Sequence, residues 1–247
     1  MIRRFMGGGK RYTPSEAPDG VYGVTKDLML IDKASPFCIG VALIYRDHRF
    51  MIEKFEDHNQ SYEEASTGKN SANKFYWGGY DTDQEDIMDY NTVDGSNSFG
   101  YLRAESGIYN GTPYLPAMIT EWEDGALSDW DGYTNSDVLK TITEGGGSYT
   151  SYATIGHVLN TFLDGYDSIG YDWYIPSCAQ LSLIYMYLTS INNALSAIGG
   201  QIFNTSNSYW SSSEYGRYYA WKVSLGNGNV DYDGKDNIFR VRFISDL

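Results

Sequence analysis

Two acidic runs contain side chains that could bind a metal ion, "DTDQED" at residues 81–86 and "DYDGKD" at residues 231–236. Closely spaced carboxylates are oxygen ligands of the kind that Ca²⁺ takes in proteins. Neither run completes an EF-hand loop, because the first lacks the glycine at the sixth position and the glutamate at the twelfth. We therefore interpret both runs as solvated acidic turns and predict no metal site, with a weak calcium site as the open alternative.

Nucleophilic catalysis has few candidate residues in this chain. The histidines are His48, His58 and His157, and the cysteines are Cys38 and Cys178. Cys178 opens a predicted helix, whose N-terminus lowers the pKa of a thiol. However, the sequence assigns it no histidine partner, contains no Gly-x-Ser-x-Gly motif, and spaces its cysteines for neither a metal nor a disulfide framework. We interpret Cys178 as a small buried residue.

Carboxylates next to tryptophan are the other candidates for chemistry. The segments "TEWEDG" and "SDWDG" contain Glu121, Glu123, Asp129 and Asp131, and such segments are typical of sugar-binding or catalytic loops. A glycosidase needs two carboxylates at a fixed separation across a cleft. The sequence does not provide that separation, so we interpret the four as surface residues around packed tryptophans. We predict no enzymatic activity and no cofactor.

The charge of the chain limits its partners. The net charge of -14 over 247 residues disfavours nucleic acid and anionic membranes, because phosphate binding needs clustered Lys and Arg. No long run is free of polar residues, so we predict no membrane insertion. The opening "MIRRFMGGGKRY" lacks the apolar region of a signal peptide, so we do not expect export by an ordinary N-terminal signal.

The aromatic content is consistent with two interpretations. The chain has 23 Tyr and 27 Gly, and tyrosine combined with small residues is typical of binding loops, where Tyr gives a large contact at low entropic cost. The same composition fits a β-rich protein that places Tyr on half-buried strands. Composition alone favours the second interpretation.

The elements that must position these residues follow the order strands, loops, helices and strands. Residues 1–19 are predicted as a flexible N-terminal arm. Strands are predicted from Val21 to about Lys54, with a hairpin turn at Asp47-His48. Residues 56–147 are interpreted as short strands and turns around three packed tryptophans, Trp77, Trp122 and Trp130.

Two helices are predicted before the final strands. The first, "SYATIGHVLNTFLDG", ends at Gly165 and has apolar residues on one face, namely Ala153, Val158, Leu159, Phe162 and Leu163. The second begins with a capping box of Ser177 and Gln180. It ends at Gly199-Gly200 after an apolar series spaced by three and four, namely Leu181, Ile184, Leu188, Ile191, Leu195 and Ile198.

The final strands include a hairpin turn at Asn227-Gly228. Strands from the two terminal regions can then pair in one sheet. The sequence thus predicts an α+β protein of small antiparallel sheets, two helices and long loop-rich insertions.

Several phrases resemble a known family. "YDWYIPSCAQLSLIY", "YWSSSEY", "AWKVSLGNGNV" and "RVRF" are similar to the variable proteins of diversity-generating retroelements, of the type carried by gut Bacteroides phages and bacteria. The opening "DGVYGVTKDLMLI" and "WGGYDTD" resemble the N-terminal half of those proteins. The resemblance covers residues 20–247. It implies one C-type lectin domain and a variable region at about residues 209–243.

In that family an error-prone reverse transcriptase randomises template adenines, chiefly in AAY asparagine codons. Such codons cannot become Lys, Glu, Gln, Met or Trp. Among residues 214–239, those that the process cannot produce are Glu214, Trp221, Lys222 and Lys235, which lie among or beside the family phrases. The resemblance implies a ligand-binding surface at the positions between those phrases, namely Gly216, Arg217, Tyr218, Tyr219, Ser224, Gly226, Asn229, Asp231, Tyr232, Asp233, Gly234, Asp236, Asn237, Ile238 and Phe239.

The surrounding frame is expected to pack the core, and we define it as Trp210, Trp221, Val223, Val230, Val241 and Phe243. Tyr218, Tyr219, Tyr232 and Phe239 are the expected binding anchors, because aromatic residues dominate binding hot spots. Substitutions at exposed positions between frame residues should cost little stability.

The chain departs from two related groups. It has no Glu-Pro-Asn, Gln-Pro-Asp or Trp-Asn-Asp triplet, so calcium-dependent sugar binding is not expected. It also lacks the cysteine pair of the formylglycine-generating enzymes, which share the broader fold. The resemblance therefore implies a non-enzymatic receptor-binding protein.

Its expected partner is a protein or glycan on a cell surface, and a homo-oligomer is possible in this family. Display on a phage tail or a bacterial surface is expected, and the missing signal peptide favours phage. Two alternatives stay open, a lectin-fold enzyme that uses the Trp/acid loops and a structural tail or adhesin module.

Overall fold

A computed structural model describes residues 9–56, 74–102, 107–109, 112–115, 124–142, 154–166 and 171–247. These residues form an α+β structure of small, mainly antiparallel sheets. Within these ranges, no helix is both long and apolar enough to cross a membrane. The strands are β1 (Arg11–Tyr12), β2 (Gly20–Val24), β3 (Leu30–Ile31), β4 (Gly40–Tyr45), β5 (His48–Ile52), β6 (Phe75–Tyr76), β7 (Gly100–Leu102), β8 (Gly107–Tyr109), β9 (Thr112–Leu115), β10 (Trp173–Tyr174), β11 (Ser208–Gly216), β12 (Tyr219–Ser224), β13 (Asn229–Gly234), β14 (Ile238–Phe239) and β15 (Ile244–Asp246). The helices are α1 (Gly132–Leu139), α2 (Ile155–Tyr166), α3 (Cys178–Met186) and α4 (Leu188–Ala197).

The chain forms two compact units. The first comprises Met1–Phe55, Tyr187–Phe203 and Ile244–Leu247, and the second comprises Glu56–Met186 and Asn204–Phe243. The predicted division into an arm at residues 1–19 and one domain stays a prediction. Within the segment predicted as an arm, Arg11–Tyr12 form strand β1.

The first unit contains an antiparallel sheet in the order β1-β3-β2-β4-β5-β15. Every residue of β4 is buried, and α4 packs against β2 and β4. The predicted hairpin is present, but it turns at Arg46-Asp47, because Tyr45 already pairs with His48. Arg46 has a φ of 53°, which a two-residue turn between twisted strands requires. Strand β15 pairs with β5, which confirms that both terminal regions contribute to one sheet.

The second unit contains a six-stranded sheet in the order β11-β12-β13-β7-β9-β8. Only the β7–β9 pair is parallel among the pairs described in this sheet. Strands β14 and β6 form a separate antiparallel pair. A hairpin joins β12 to β13 as predicted, and Gly228 has the positive φ of 75° that its turn needs.

The loop-rich stretch of residues 56–147 was predicted without a helix, and this was wrong, because α1 lies within it. Its sequence "GYTNSDVL" favours a turn, yet Asn135 and Ser136 are both buried and their side chains form hydrogen bonds. The Ser136 hydroxyl accepts a bond from the Ile175 amide at 2.8 Å. Tertiary hydrogen bonds thus override local preference. Trp77 is fully buried and Trp130 is half-buried, whereas Trp122 lies outside the described residues.

The predicted helices differ from the observed ones in number. Two were expected, and the described residues contain four. The first expected helix is α2. Its residues Val158 and Leu159 are buried as predicted, Phe162 and Leu163 are half-buried, and Ala153 lies outside the described residues. The second is divided into α3 and α4 at Tyr187, whose φ of -100° and ψ of 9° interrupt the helical geometry.

The start of α3 confirms the predicted capping box. The Ser177 amide donates to the Gln180 side chain at 2.9 Å, and the Gln180 amide donates to the Ser177 hydroxyl at 3.5 Å. Cys178 is fully buried at the first helical position, and burial raises the pKa of its thiol. The interpretation of Cys178 as a small buried residue is therefore confirmed.

Asp129 corrects one surface assignment. It was interpreted as a surface residue, but its carboxylate is buried. Its oxygens accept bonds from the Ser213 hydroxyl, from the Asn135 amide at 3.0 Å and from the Asp131 backbone at 2.9 Å. These polar partners make burial of the carboxylate tolerable. Asp131 is exposed as expected, while Glu121 and Glu123 lie outside the described residues.

Burial raises the pKa of Asp129 above its ordinary value of 3.8, despite the hydrogen bonds from Ser213, Asp131 and Asn135. The folded state then holds this proton more tightly than the unfolded state. The contribution of Asp129 to the free energy of unfolding is therefore greatest below pH 3.8 and declines as pH rises through the folded-state pKa. We expect Asp129→Asn to remove this part of the pH dependence. Urea unfolding of both proteins between about pH 4 and pH 8 measures it.

The exposed variant Asp27→Asn is the matched control and should keep the wild-type profile, because Asp27 is not among the groups that shift the pKa of Asp129. Identical pH profiles for the wild type and Asp129→Asn would contradict the assignment.

Candidate functional site

The phrase "YWSSSEY" lies in β11, and its buried side chains support the predicted binding surface. Its three serines, Ser211, Ser212 and Ser213, are fully buried. The Ser211 hydroxyl donates to the Trp221 carbonyl at 2.8 Å, which links β11 to β12. The Ser213 hydroxyl accepts a bond from the Cys178 amide at 2.8 Å and donates to Asp129. Small side chains with directional bonds thus fix this strand against α3 and its neighbours.

A buried ion pair lies beside the serines. Glu214 and Lys235 are both 0% exposed and bonded to each other. The Lys235 ammonium also donates to the Thr82 carbonyl at 2.8 Å and lies 4.8 Å from the Trp77 ring centroid. Burial raises the pKa of Glu214 to about 7, although the positive charge of Lys235 opposes this shift. Burial also lowers the pKa of Lys235.

A second buried carboxylate holds the phrase "RVRF". Glu56 accepts a hydrogen bond from the Tyr209 hydroxyl at 2.7 Å and pairs with Arg240 at 2.5 Å. Arg242 lies 3.8 Å away on its other oxygen. Burial raises the pKa of Glu56, while these partners oppose that shift. The six frame residues are all buried as well, as expected.

An aromatic group covers one end of β11–β13, and we call it the tyrosine cluster: Tyr215, Tyr218, Tyr219 and Tyr232. Tyr215 and Tyr232 stack with centroids 4.1 Å apart and planes at 27°. Tyr219 meets Tyr232 edge-on at 5.4 Å. Buried Trp221 lies against both Tyr215 and Tyr232, at 5.6 and 5.9 Å, and its indole donates to the Tyr90 carbonyl.

The outer edge of the cluster is open to solvent. Tyr218 and Tyr219 are 40% and 43% exposed. Tyr80 lies 5.5 Å from the Tyr218 ring. Arg217 pairs with the Asp81 carboxylate at 2.7 Å and donates to the Asp81 carbonyl at 3.0 Å. Exposed aromatic rings held by such contacts can bind a partner at low entropic cost.

Other predicted site residues lie on the opposite face of the sheet. Lys222 pairs with Asp231 across β12 and β13, while Trp221 pairs with Tyr232, so alternation directs the two pairs to opposite faces. The Lys222 ammonium lies 3.7 Å from both Asp231 and Asp233.

Phe239 belongs to that second face as well. Its ring packs edge-on against buried Trp210 at 4.8 Å and lies under the Lys222 ammonium at 5.4 Å. Asn237 donates to the Asp233 carboxylate at 2.6 Å. Phe239 therefore lies apart from the three tyrosines with which it was grouped as an anchor.

A third group lies at the turn between β12 and β13 and contains Ser224, Gly226 and Asn229. Ser224 is five residues from Tyr219 along β12, or about 17 Å at 3.3–3.4 Å per residue. Gly226 is exposed, but a Cβ there would lie 2.2 Å from the Thr205 carbonyl oxygen.

The structure thus does not bring the fifteen predicted residues into one patch. Gly216, Arg217, Tyr218, Tyr219 and Tyr232 lie at or beside the tyrosine cluster. Of the remainder, Gly234 is buried and pairs with Tyr219, Asp236 is half-buried in the turn after β13, and Ile238 pairs with Tyr76. Gly216 has a φ of 150°, so a side chain there would be strained.

Sequence reasoning missed three contributors to the cluster, Tyr215, Tyr80 and Asp81. Tyr215 was counted within the phrase "YWSSSEY", although alternation after buried Glu214 places it on the other side of the strand. Tyr80 and Asp81 follow two glycines with positive φ, Gly78 and Gly79, and such a glycine pair indicates a loop that approaches other backbone closely.

Comparisons with known proteins give limited information. No family model matches the chain, and no curated protein matches it. Among solved structures, a fimbrial protein from Bacteroides ovatus is similar, with a TM-score of 0.48 and 15% sequence identity. The match covers 94% of this chain and 49% of the fimbrial protein, so the chain spans about half the length of that protein. A likeness at this level does not establish a shared fold.

The two aromatic groups should differ in their effect on stability. We expect the double variant Tyr218→Ala/Tyr219→Ala to keep the melting temperature nearly unchanged, because both rings are open to solvent. Phe239→Ala should lose about 2 kcal/mol, roughly half the cost of a fully buried phenylalanine, because it removes contact with Trp210. Thermal unfolding followed by circular dichroism compares them. Equal losses in the two variants would show that the exposed tyrosines also support the core.

Gly226 should tolerate substitution poorly despite its exposure. We expect Gly226→Ala to lower the free energy of unfolding by about 1–3 kcal/mol, because its methyl group would overlap the Thr205 carbonyl. The nearby exposed variant Ser206→Ala is the control and should stay within about 0.5 kcal/mol of wild type. Chemical denaturation checks both, and a neutral Gly226→Ala would place Gly226 among the freely variable positions.

Proposed function

We propose that this protein is a non-enzymatic ligand-binding protein with a C-type lectin fold, whose C-terminal surface is diversified by a retroelement. The tyrosine cluster is its main contact surface, and its partner is a protein or glycan on a cell surface. Display on a phage tail or a bacterial surface follows from the resemblance in "YWSSSEY", "AWKVSLGNGNV" and "RVRF".

One observation carries the proposal. Among residues 214–239, those that randomised AAY codons cannot produce, namely Glu214, Trp221, Lys222 and Lys235, are all at most 9% exposed. Two of them form the buried ion pair, and Trp221 supports the tyrosine cluster. Loss of one member of a buried pair costs about 3–5 kcal/mol, because the other charge stays uncompensated. Positions closed to this mutagenesis thus coincide with positions where variation would be costly.

The open positions have the complementary property. Arg217, Tyr218 and Tyr219 are exposed, and each can arise from an AAY codon. Exposed substitutions usually change stability by less than about 0.5 kcal/mol. Variation there alters the binding surface while the buried serines, tryptophans and ion pairs stay constant, which is how one scaffold carries many specificities.

Two of the four carboxylates that suggested the enzymatic alternative lie in the described part of the chain, and neither supports it. Of these, Asp129 is buried and hydrogen-bonded to Ser213 and Asn135, so its carboxylate is not open to a substrate. Asp131 is exposed, but it lies two residues away in the same loop rather than across a cleft.

Deep sequencing of the gene segment for residues 209–243 across related isolates, with its flanking DNA, tests the proposal. We expect variation at adenines matched by a nearby near-copy of the segment, concentrated at residues 217–219, 231–234 and 236–239. Gly226 and the four positions closed to AAY mutagenesis should be constant. The codons for residues 40–52, which encode the buried β4–β5 hairpin, are the internal control and should show only background variation.

An invariant segment without a nearby template copy would refute diversification. Variation spread equally over the control codons would also refute it. Such variation would indicate ordinary drift, which is not confined to adenines of a template copy. A fixed-partner adhesin or tail module would then be the better description.

A further inference from the structure

Three carboxylates meet beside the buried ion pair. Asp83, Asp89 and Glu214 present oxygen atoms that all lie within 4.8 Å of one another. Asp83 and Asp89 are exposed, while Glu214 is fully buried. A parallel bridge pairs Asp89 with Glu214, and the Tyr90 amide donates to the Glu214 carbonyl at 3.1 Å. Backbone contacts therefore fix this meeting of carboxylates.

Glu214 provides a second, independent observation that points to a bound cation at this cluster. Its Oε1 atom accepts bonds from the Lys235 ammonium and the Gln84 amide, the latter at 3.3 Å. Its Oε2 atom is buried, and within the described part of the chain it has no hydrogen-bond partner. A buried carboxylate oxygen without a partner is costly, because it has lost its water.

We propose that Asp83, Asp89 and Glu214 form a calcium site. Ca²⁺ binds oxygen at 2.3–2.6 Å, so two ligands of one ion can lie about 4.8 Å apart. That separation is the upper bound observed among the three carboxylates. Bidentate carboxylates and water complete the six to eight ligands that Ca²⁺ takes.

The charges at this site favour a divalent ion. When all three carboxylates are ionised they carry three negative charges, and Lys235 is the buried cation paired with one of them. A net charge of about -2 remains by this count. Lys235 does not take the place of the ion, because its ammonium bonds Oε1 and the Thr82 carbonyl rather than Oε2.

Calcium fits this site better than magnesium. Mg²⁺ requires near-ideal octahedral geometry and releases water reluctantly, whereas Ca²⁺ accepts irregular ligand sets. Two of the three ligands are on an exposed loop, which indicates weak affinity. Extracellular calcium modules bind with dissociation constants of about 10⁻⁴–10⁻³ M, and we expect a value in that range.

The site does not depend on the proposed ligand-binding function, but it lies next to that surface. The same loop contains Asp81, which pairs with Arg217, the residue before Tyr218 of the tyrosine cluster. A bound ion would tie residues 83 and 89 to β11 and thereby steady the loop that contacts the tyrosines.

Calcium titration of the full chain after EDTA treatment and dialysis tests the site. Isothermal titration calorimetry measures Ca²⁺ directly, and Tb³⁺ luminescence, sensitised by the nearby aromatic rings, gives a second readout. The variants are Asp83→Asn and Asp89→Asn, whose side chains are exposed, so folding should be kept. Asp86→Asn is the matched control, because it removes the same charge from the same exposed loop outside the cluster.

We expect one Ca²⁺ per chain for the wild type and the control. Each test variant should weaken binding by about tenfold or more, since even the outer partners of metal ligands have effects of that size. No binding by the wild type up to about 10 mM, beyond the weakest calcium modules, would overturn the proposal. Equal weakening by Asp86→Asn would also overturn it, because it would indicate diffuse attraction to an acidic loop.

Discussion

The buried pair of Glu214 and Lys235 is the interaction on which the C-terminal surface depends. It joins segments that are distant in sequence, because Lys235 also bonds the Thr82 carbonyl and lies over the Trp77 ring. The Lys235 amide in turn donates to the Tyr218 carbonyl at 2.9 Å. The backbone of the exposed tyrosines is therefore held from beneath by charge and backbone bonds, in addition to the contacts of their own rings. A surface supported in this way can exchange its outer side chains without losing its backbone conformation.

The interior around this pair is unusually polar for a supporting core. Ser211 and Ser213 use their hydroxyls to join β11 to β12 and to the start of α3. Apolar contacts tolerate small slips between elements, whereas a buried hydrogen bond loses most of its value when its geometry changes. A strand held by serines thus has a fixed register. A slip of one residue would send every side chain of β12 to the other face of the sheet.

Local patterns predicted local structure well in this chain. The capping box at Ser177, the hairpin between β4 and β5 and the turn at Gly228 all follow from residue types over a few positions. Features that depend on distant partners were not predictable. Helix α1 forms because Asn135 and Ser136 find buried partners far along the chain, Ser212 and Ile175, and Asp129 is buried against the equally distant Ser213. The separation of the fifteen predicted surface residues into groups depends on strand register, including the shifts in β11 next to Glu214.

Strand β15 makes the sheet of the first unit depend on complete, in-frame translation of the chain. It lies after the segment of residues 209–243 in the chain, yet it pairs with β5 in the first unit. A frameshift or premature stop within that segment would delete β15 and leave the edge of β5 unpaired. An open strand edge promotes aggregation and recognition by chaperones and proteases. Frameshifted or truncated chains would thus expose this edge, whereas in-frame substitutions within residues 209–243 would leave β15 paired with β5.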